Sequence, residues 1–243
     1  SSGLPVIVLA PVDVSDCYSL TIHAFNLAET YRCPVFLASN KEIGMTRESI
    51  DLAIVEKPTI INRAMATDRD HFFPFQISNG QSVPYFLPIG GSTPVRQTSS
   101  THGSDGYITT DANEIASFQQ RLYDKLQLSV GRYSFHEIEN RNAQTLLITY
   151  GVSVRAAKTA IRICHQNGQS VSLLVLKTLW PVPEDLIHQA ARNSKRGVVV
   201  EMNLGQYVNE IRRILPDKTV DFYGQMDGRL ITPRQIKEVI TSG

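Results

Sequence analysis

The chain has 243 residues, enough for one large domain or two smaller ones. Apolar residues make up 42% of it, which is ample for a packed core, and the formal net charge of +1 gives no general attraction to nucleic acid or to an anionic membrane. No apolar run approaches the roughly 20 residues that span a bilayer, and no secretory signal is recognisable. These features predict a cytoplasmic protein without a membrane segment.

The cysteines and histidines give no metal-binding pattern. Cys17, Cys33 and Cys164 are far apart and form neither a CxxC pair nor a zinc or iron–sulfur spacing. No two histidines have the spacing of metal ligands. We expect reduced, buried thiols and no metal site in this chain.

Residues 1–58 contain two short apolar segments, PVIVLAP and CPVFLAS, on either side of an amphipathic helix that carries Tyr18, Ile22 and Phe25 on one face. Two buried strands cannot form a stable parallel sheet alone. The chain also enters the first strand almost at once. We therefore expect an α/β domain that is incomplete here or is completed by a partner chain.

Residues 59–142 are rich in proline and glycine, which excludes long helices and central strands over most of this range. The segments HFFPFQI and VPYFLPIG are too aromatic for a free linker, and we expect them to pack on a domain or on another subunit. Asp111 then has the position of a helix N-cap, with Glu114 at the capping-box position. This range is predicted to be a connecting segment with one helix.

Residues 143–243 alternate strand-length apolar runs with helical patterns. The runs are TLLITY, VSLLVLKTL, GVVVEM and TVDFY, and Thr232-Pro233 begins a last helix. This alternation predicts a doubly wound, mostly parallel sheet covered by helices. Ligands and partners of such sheets meet the loops at the carboxyl ends of the strands.

Two of these loops hold candidate site residues. After the first run, Gly151 forms the turn, Ser153 is expected to cap the next helix and Arg155 lies in its first turn, where a phosphate, a carboxylate or an acidic partner side chain could bind. The alternative is a surface arginine on a capped helix. After the third run come Glu201, Asn203, Gly205 and Gln206, a candidate interface with another subunit or with the rim of an active site; alternatively, Glu201 caps the next helix.

His102, in the loop THGSDG, is the one histidine with a candidate role near a substrate; the alternative is an ordinary loop histidine. YGVS lacks the further glycines of a dinucleotide-binding fingerprint. No residue of this chain is assigned as catalytic.

Several strings resemble one family. YGVSVRAAKTAI, LKTLWPVPEDLI and VVVEMNLGQYVNEIR are similar to the carboxyl-terminal domain of the alpha subunit of 2-oxoacid:ferredoxin oxidoreductases. LPVIVLAPVDVSDCYSLTIHAFNLAETYRCPVFLAS resembles the second half of that subunit's pyrimidine-binding domain. THGSDGYITTD, RLYDKL and FYGQMDGRLITPRQI resemble its connecting and closing segments, so the resemblance covers nearly the whole chain in order.

The resemblance implies a subunit of an enzyme (EC 1.2.7.-) that decarboxylates a 2-oxoacid on thiamine diphosphate, reduces ferredoxin or flavodoxin through iron–sulfur clusters and forms an acyl-CoA. In the family, a beta subunit supplies the diphosphate and magnesium site and at least one cluster. The implied fold is part of a pyrimidine-binding domain, the connecting segment and a transketolase C-terminal-like domain.

The chain departs from the family pattern in two places. The family's cofactor-activating glutamate is expected ahead of Leu4, and none of Glu29, Glu42 and Glu48 falls in a matching motif. The first part of the pyrimidine-binding domain is thus expected to be missing, and the chain alone is expected not to turn over substrate. Asn40 stands where the family usually has an acidic residue.

The length of the connecting segment resembles that of 2-oxoglutarate enzymes, while pyruvate and branched-chain 2-oxoacids stay open. Two other functions also stay open: the carboxyl-terminal domain of another thiamine enzyme, such as a transketolase or a 2-oxoacid dehydrogenase component, and a non-catalytic module that binds subunits.

Overall fold

The computed structural model describes residues 5–68, 70–77 and 81–242. They form two compact units that are each discontinuous in sequence. The connecting unit contains the described residues of Ile22–Val35 and Pro58–Ser129, with Pro5 and Val6, and the sheet unit contains Ile7–Thr21, Phe36–Lys57 and 130–242. The three-part division of the sequence stays a prediction.

The elements follow in chain order. The strands are β1 Ile7–Leu9, β2 Val35–Leu37, β3 His136–Glu139, β4 Thr145–Thr149, β5 Ser172–Leu176, β6 Thr178–Trp180, β7 Arg196–Glu201 and β8 Thr219–Gly224. The helices are α1 Val14–Tyr31, α2 Lys41–Met45, α3 Ala112–Gln127, α4 Ser153–Gln166, α5 Glu184–Ala191, α6 Gln206–Ile214 and α7 Pro233–Thr241, with one 3-10 turn at Val130–Arg132.

The main sheet of the sheet unit has five strands in the order β3-β5-β4-β7-β8. Strands β5, β4, β7 and β8 are parallel, and β3 runs antiparallel to β5 at one edge. The apolar side chains of β4, β5 and β7 are fully buried, as continuous apolar runs between two layers of helices require. This confirms the predicted α/β class and the mostly parallel sheet.

Helices cover both faces of the main sheet. On one face α4 and α7 pack together, with Ala157, Ile161 and Ile236 in the shared core. On the other face α5 and α6 contribute Ile187 and Ile211 to a second core. The sheet is therefore doubly wound, as the alternation of apolar runs predicts.

The run VSLLVLKTL forms two strands instead of one. It is interrupted at Lys177, whose ammonium group lies 2.8 Å from Asp16 and 2.7 Å from Glu137. Beyond this residue, β6 leaves the main sheet and joins β1 and β2 in a three-stranded sheet of order β2-β1-β6. The ion pairs thus hold the chain at the place where it changes sheets.

Strand β8 forms the other edge of the main sheet. Arg212 of α6 donates from Nη2 to the carbonyl oxygen of Val220 in this strand, at 3.2 Å. A side chain of the same unit therefore occupies part of the edge.

Candidate functional site: the carboxyl edge of the main sheet and the arginine cluster

The carboxyl ends of β4 and β7 lie side by side, because the two strands are parallel neighbours with Thr149 opposite Val200. The residues that follow, Tyr150-Gly151 and the loop from Met202 to Gly205, therefore occupy one edge of the sheet. The candidate site residues of these two loops therefore lie at the carboxyl ends of the strands, where open α/β sheets usually contact ligands and partners.

Glu201 is fully buried at the end of β7. Its Oε2 accepts hydrogen bonds from the Tyr150 hydroxyl at 2.7 Å and from the backbone N–H of Tyr207 at 3.1 Å, and its Oε1 accepts from the N–H of Val208 at 3.0 Å. The carboxylate thus caps α6 and complements the positive end of the helix dipole.

Asn203 completes this cap. Its side-chain nitrogen donates to Glu201 Oε2 at 2.8 Å, and its oxygen accepts from the N–H groups of Gly205 at 2.7 Å and Gln206 at 3.2 Å. Gly205 has φ +94°, and a Cβ there would lie 3.2 Å from a methyl group of Val208. The loop therefore requires glycine at this position, and its polar groups are used within the chain.

Two tyrosines lie beside the cap. Burial, and after it the Glu201 carboxylate, raises the pKa of Tyr150 well above its ordinary value. Burial also raises the pKa of Tyr207, whose hydroxyl has no hydrogen-bond partner among the described residues. Both phenols stay neutral at physiological pH and do not act as bases.

The start of α4 is capped from a distant part of the chain. Asn40 accepts a hydrogen bond from the N–H of Val152 at 2.9 Å, and a Cβ on Gly151, which has φ +60°, would collide with the same Asn40 oxygen. The prediction that Ser153 caps this helix is wrong: Ser153 is its first residue and is buried. The sequence pattern missed Asn40 because it lies more than a hundred residues from α4.

Arg155 is half-exposed and already paired: its Nη1 lies 2.5 Å from Glu48 Oε1. The pair raises the pKa of Arg155 and lowers the pKa of Glu48. Arg155 borders a cleft of about 170 Å³ lined by Glu42, Ile43, Thr46, Val152, Ser153, Arg155, Ala156, Met202, Leu230 and Ile231. An external anion at Arg155 must compete with Glu48.

His102 is not an exposed loop residue, since only 7% of its surface is accessible. Its ring lies between Phe75, at a centroid distance of 3.6 Å, and Phe118, at 4.8 Å. Its Nδ1 lies 3.2 Å from the carbonyl oxygen of Gly103. These contacts give His102 a packing role in the connecting unit.

A group of cations that the sequence patterns did not predict lies around these aromatic rings. This arginine cluster consists of Arg32, Arg63, Arg121 and Lys125, all in the connecting unit. Three of the guanidinium groups lie over phenylalanine rings, Arg63 at 4.5 Å from the centroid of Phe86. A signal was present in the sequence, since the aromatic segments HFFPFQI and VPYFLPIG offer faces on which guanidinium groups stack.

Lys125 is 4% exposed, and its ammonium group donates to the carbonyl oxygens of Tyr31 at 2.7 Å and Arg32 at 3.2 Å. These are the last residue of α1 and the one after it, so Lys125 complements the negative end of that helix. Burial is the main cause that lowers its pKa to about 8, and the charges of Arg121 and Arg32 act in the same direction.

Among the described residues, no three His, Cys, Asp or Glu side chains are grouped so that they could hold a metal ion. In the same residues, no helix is both long and apolar enough to cross a membrane.

Two family models match the chain, one after the other. Residues 2–121 match the thiamine-diphosphate-binding domain of pyruvate flavodoxin/ferredoxin oxidoreductases. Residues 143–236 match core domain II of pyruvate:ferredoxin oxidoreductase. Together the two ranges cover most of the 243 residues.

A relative with an assigned function matches along nearly the whole chain. The chain is 31% identical to the 2-oxoglutarate synthase subunit KorA of Methanothermobacter thermautotrophicus over 243 aligned positions, which include 97% of this chain and 63% of that protein. The chain therefore spans less than two thirds of the length of this relative.

Two solved structures share the fold. A 2-oxoglutarate:ferredoxin oxidoreductase from Magnetococcus marinus, with 2-oxoglutarate, coenzyme A and succinyl-CoA bound, superposes with a TM-score of 0.83 at 23% identity, over 98% of this chain and 42% of that one. A split-gene transketolase, an inactive beta4 tetramer, superposes with a TM-score of 0.51 at 12% identity, over 98% of this chain and 57% of that one.

Proposed function

This chain belongs to the 2-oxoacid:ferredoxin oxidoreductase family, and on that premise we propose that it serves as the alpha-type subunit of a thiamine-diphosphate-dependent 2-oxoacid:ferredoxin oxidoreductase. The proposed reaction is the oxidative decarboxylation of a 2-oxoacid to an acyl-CoA, with reduction of ferredoxin or flavodoxin. The observation that carries the proposal is the match of two domains of one family, in order, along one chain.

The substrate we propose is 2-oxoglutarate. The relative that is 31% identical is a 2-oxoglutarate synthase subunit, and the superposed enzyme from Magnetococcus marinus is a 2-oxoglutarate:ferredoxin oxidoreductase. Both family models favour this enzyme class over a transketolase or a 2-oxoacid dehydrogenase component, because neither describes those enzymes.

Three carboxylates of the described chain are occupied by other groups of the same chain. Glu29 is bound by Arg63, Glu48 by Arg155, and Glu201 is enclosed beneath α6, so none of the three is free to polarise a pyrimidine ring. No metal-binding group is present in the described part of the chain either. We therefore infer that thiamine diphosphate, magnesium and the iron–sulfur clusters depend on groups from a beta-type partner, and we assign no catalytic step to this chain.

The contact with that partner is proposed at the carboxyl edge of the main sheet. Glu201, Asn203 and Gly205 shape the loop after β7, and the exposed side chains of Leu204 and Gln206 project from it. A shaped loop with an exposed apolar side chain is suited to a subunit interface. A cytoplasmic location belongs to the same proposal, since Cys17, Cys33 and Cys164 are free thiols.

The test is reconstitution of the enzyme from this chain and its companion polypeptides, with thiamine diphosphate, magnesium, CoA and an electron-accepting dye. We expect dye reduction that requires this chain, CoA and 2-oxoglutarate, with pyruvate and a branched-chain 2-oxoacid as weaker substrates. A mixture that lacks only this chain is the control. A stable but inactive complex in which the upstream half of the pyrimidine-binding domain is also present would instead support a non-catalytic subunit-binding module.

A further inference from the structure

The arginine cluster carries more positive charge than the connecting unit compensates. Its one carboxylate partner among the described residues is Glu29, which Arg63 binds through two parallel hydrogen bonds of 2.9 Å, from Nε and Nη2. Among the described residues, Arg32, Arg121 and Lys125 have no carboxylate within ion-pair distance. Three cations therefore share a partly buried region without a negative charge.

Arg63 binds Glu29 through its Nε and Nη2 groups. Among the described residues, these same groups of the two remaining arginines are free. Arg32 donates only from Nη1, to the carbonyl oxygens of Pro74 at 3.2 Å and of Pro84 and Tyr85 at 3.3 Å. Arg121 donates only from Nη1, to Ser82 at 3.4 Å. Within the described chain, the Nε and Nη2 groups of both residues have no acceptor.

These free donors are not sealed inside the unit. The fully enclosed side-chain atoms without a partner, in the part of the chain that the structure describes, are oxygens of Gln81, Thr98 and Tyr207. No arginine nitrogen is among them, so the unpartnered Nε and Nη2 groups of Arg32 and Arg121 are not fully enclosed.

Aromatic rings lie next to the guanidinium groups of Arg32 and Arg121. Phe75 and Phe86 lie 5.7 and 5.9 Å from Arg32, and Phe118 lies 5.1 Å from Arg121. His102 stacks between Phe75 and Phe118, so one continuous set of rings supports both arginines. A guanidinium group that lies over an aromatic ring keeps its N–H groups available for two-point recognition of an oxyanion.

The electrostatics of the cluster also favour an anion. Burial and the charges of Arg63 and Arg121 lower the pKa of Arg32, and burial lowers the pKa of Arg121. A bound negative charge would offset this repulsion.

We propose that the arginine cluster binds an oxyanion of the phosphate class at the free edges of Arg32 and Arg121. A tetrahedral oxyanion has enough oxygens to accept from two guanidinium edges at once, whereas a carboxylate has two. The anion would link Arg32, which follows α1, to Arg121 of α3. This site is independent of the proposed enzymatic activity, and its ligand is either free phosphate or the phosphate group of a larger molecule.

Calorimetric titration of the full chain with inorganic phosphate, at constant ionic strength, tests the proposal. We expect saturable binding that is weakened at least tenfold by Arg121→Gln, because two charge-assisted hydrogen bonds are lost. Arg234→Gln is the matched control, since Arg234 is an exposed arginine of α7 paired with Glu238, and it should bind as the unmodified chain does. Titrations with pyrophosphate and CoA distinguish the sources: tighter binding than that of inorganic phosphate identifies a larger phosphate-bearing ligand.

Nuclear magnetic resonance of the unmodified chain provides a readout that no substitution can disturb. Addition of phosphate should shift the Nε–H resonances of Arg32 and Arg121 and leave that of Arg234 in place. The proposal is overturned by the absence of saturable binding at tens of millimolar phosphate, by equal shifts at all three arginines, or by an Arg121→Gln chain that is folded and binds as tightly as the unmodified one.

Discussion

The carboxyl edge of the main sheet and the arginine cluster differ in how their charges are satisfied. At the edge, Glu201 and Asn203 cap α6, Asn40 caps α4, and Arg155 is paired with Glu48. In the described part of the cluster, Arg63 is the one cation of the four that is paired with a carboxylate, that of Glu29. A region whose polar groups satisfy one another contributes to stability, while a region left with spare donors and uncompensated charge is prepared to bind something else.

The strongest test of the first half of this comparison is Glu201→Gln. The substitution keeps the volume but replaces one accepting oxygen by a donating nitrogen and removes the charge at the start of α6. We expect the free energy of unfolding to fall by about 4 kcal/mol, since several charge-assisted hydrogen bonds to a buried group are lost. Urea denaturation measures it.

Glu238→Gln provides the control, because Glu238 is an exposed partner of Arg234 on α7. Loss of the Glu238 carboxylate should lower the free energy of unfolding by less than about 0.5 kcal/mol. Equal effects of the two substitutions would contradict a structural role of Glu201 as the cap of α6.

A second test uses the pH dependence of Lys125. Its pKa in the folded chain is about 8, below the ordinary 10.5, so the folded state releases this proton first as pH rises. Between these values the unfolded state binds more protons, and the free energy of unfolding must increase with pH, by roughly 3 kcal/mol over the whole interval.

Lys125→Met removes this titration while keeping an unbranched side chain. From pH 7.5 to pH 10.5, the free energy of unfolding of the unmodified chain should therefore rise relative to that of the variant. Denaturant unfolding at each pH measures this difference. A difference that stays constant over this range would show that Lys125 titrates like an exposed lysine.

The smallest expected effect distinguishes the paired arginine from an unpaired one. Arg63→Gln loses two hydrogen bonds to Glu29, and we expect it to cost about 1 kcal/mol in a half-exposed pair. Arg121→Gln loses one long hydrogen bond and relieves repulsion, so that in phosphate-free buffer its stability should lie within about 0.5 kcal/mol of the unmodified chain. A larger loss for Arg121 than for Arg63 would reverse the comparison.

Local sequence patterns were sufficient for the elements that depend on neighbouring residues. The N-cap at Asp111 is confirmed, since its side chain accepts from the N–H groups of Asn113 and Glu114. Thr232 and Pro233 begin α7 as expected, and the structure adds a capping box between Thr232 and Gln235. The buried strands β4 and β7 are also recognisable from their continuous apolar residues.

The elements that the sequence did not predict depend on distant partners. Strand β3 has the sequence HEIE, which looks like a surface loop, and it exists because β5, more than thirty residues later, pairs with it. Asn40 caps α4 across a much longer gap, of 112 residues. His102 becomes buried only because Phe75 and Phe118 enclose it. No window of neighbouring residues contains such information.

Arg212 of α6, which binds the carbonyl oxygen of Val220, has a consequence for self-association. A bare outer strand is a template on which a second polypeptide can polymerise, and stacked copies then grow into fibrils. Here an incoming strand would compete with the guanidinium group of Arg212 for the carbonyl oxygen of Val220. The Arg212 side chain therefore disfavours aggregation by strand addition at this edge of the sheet.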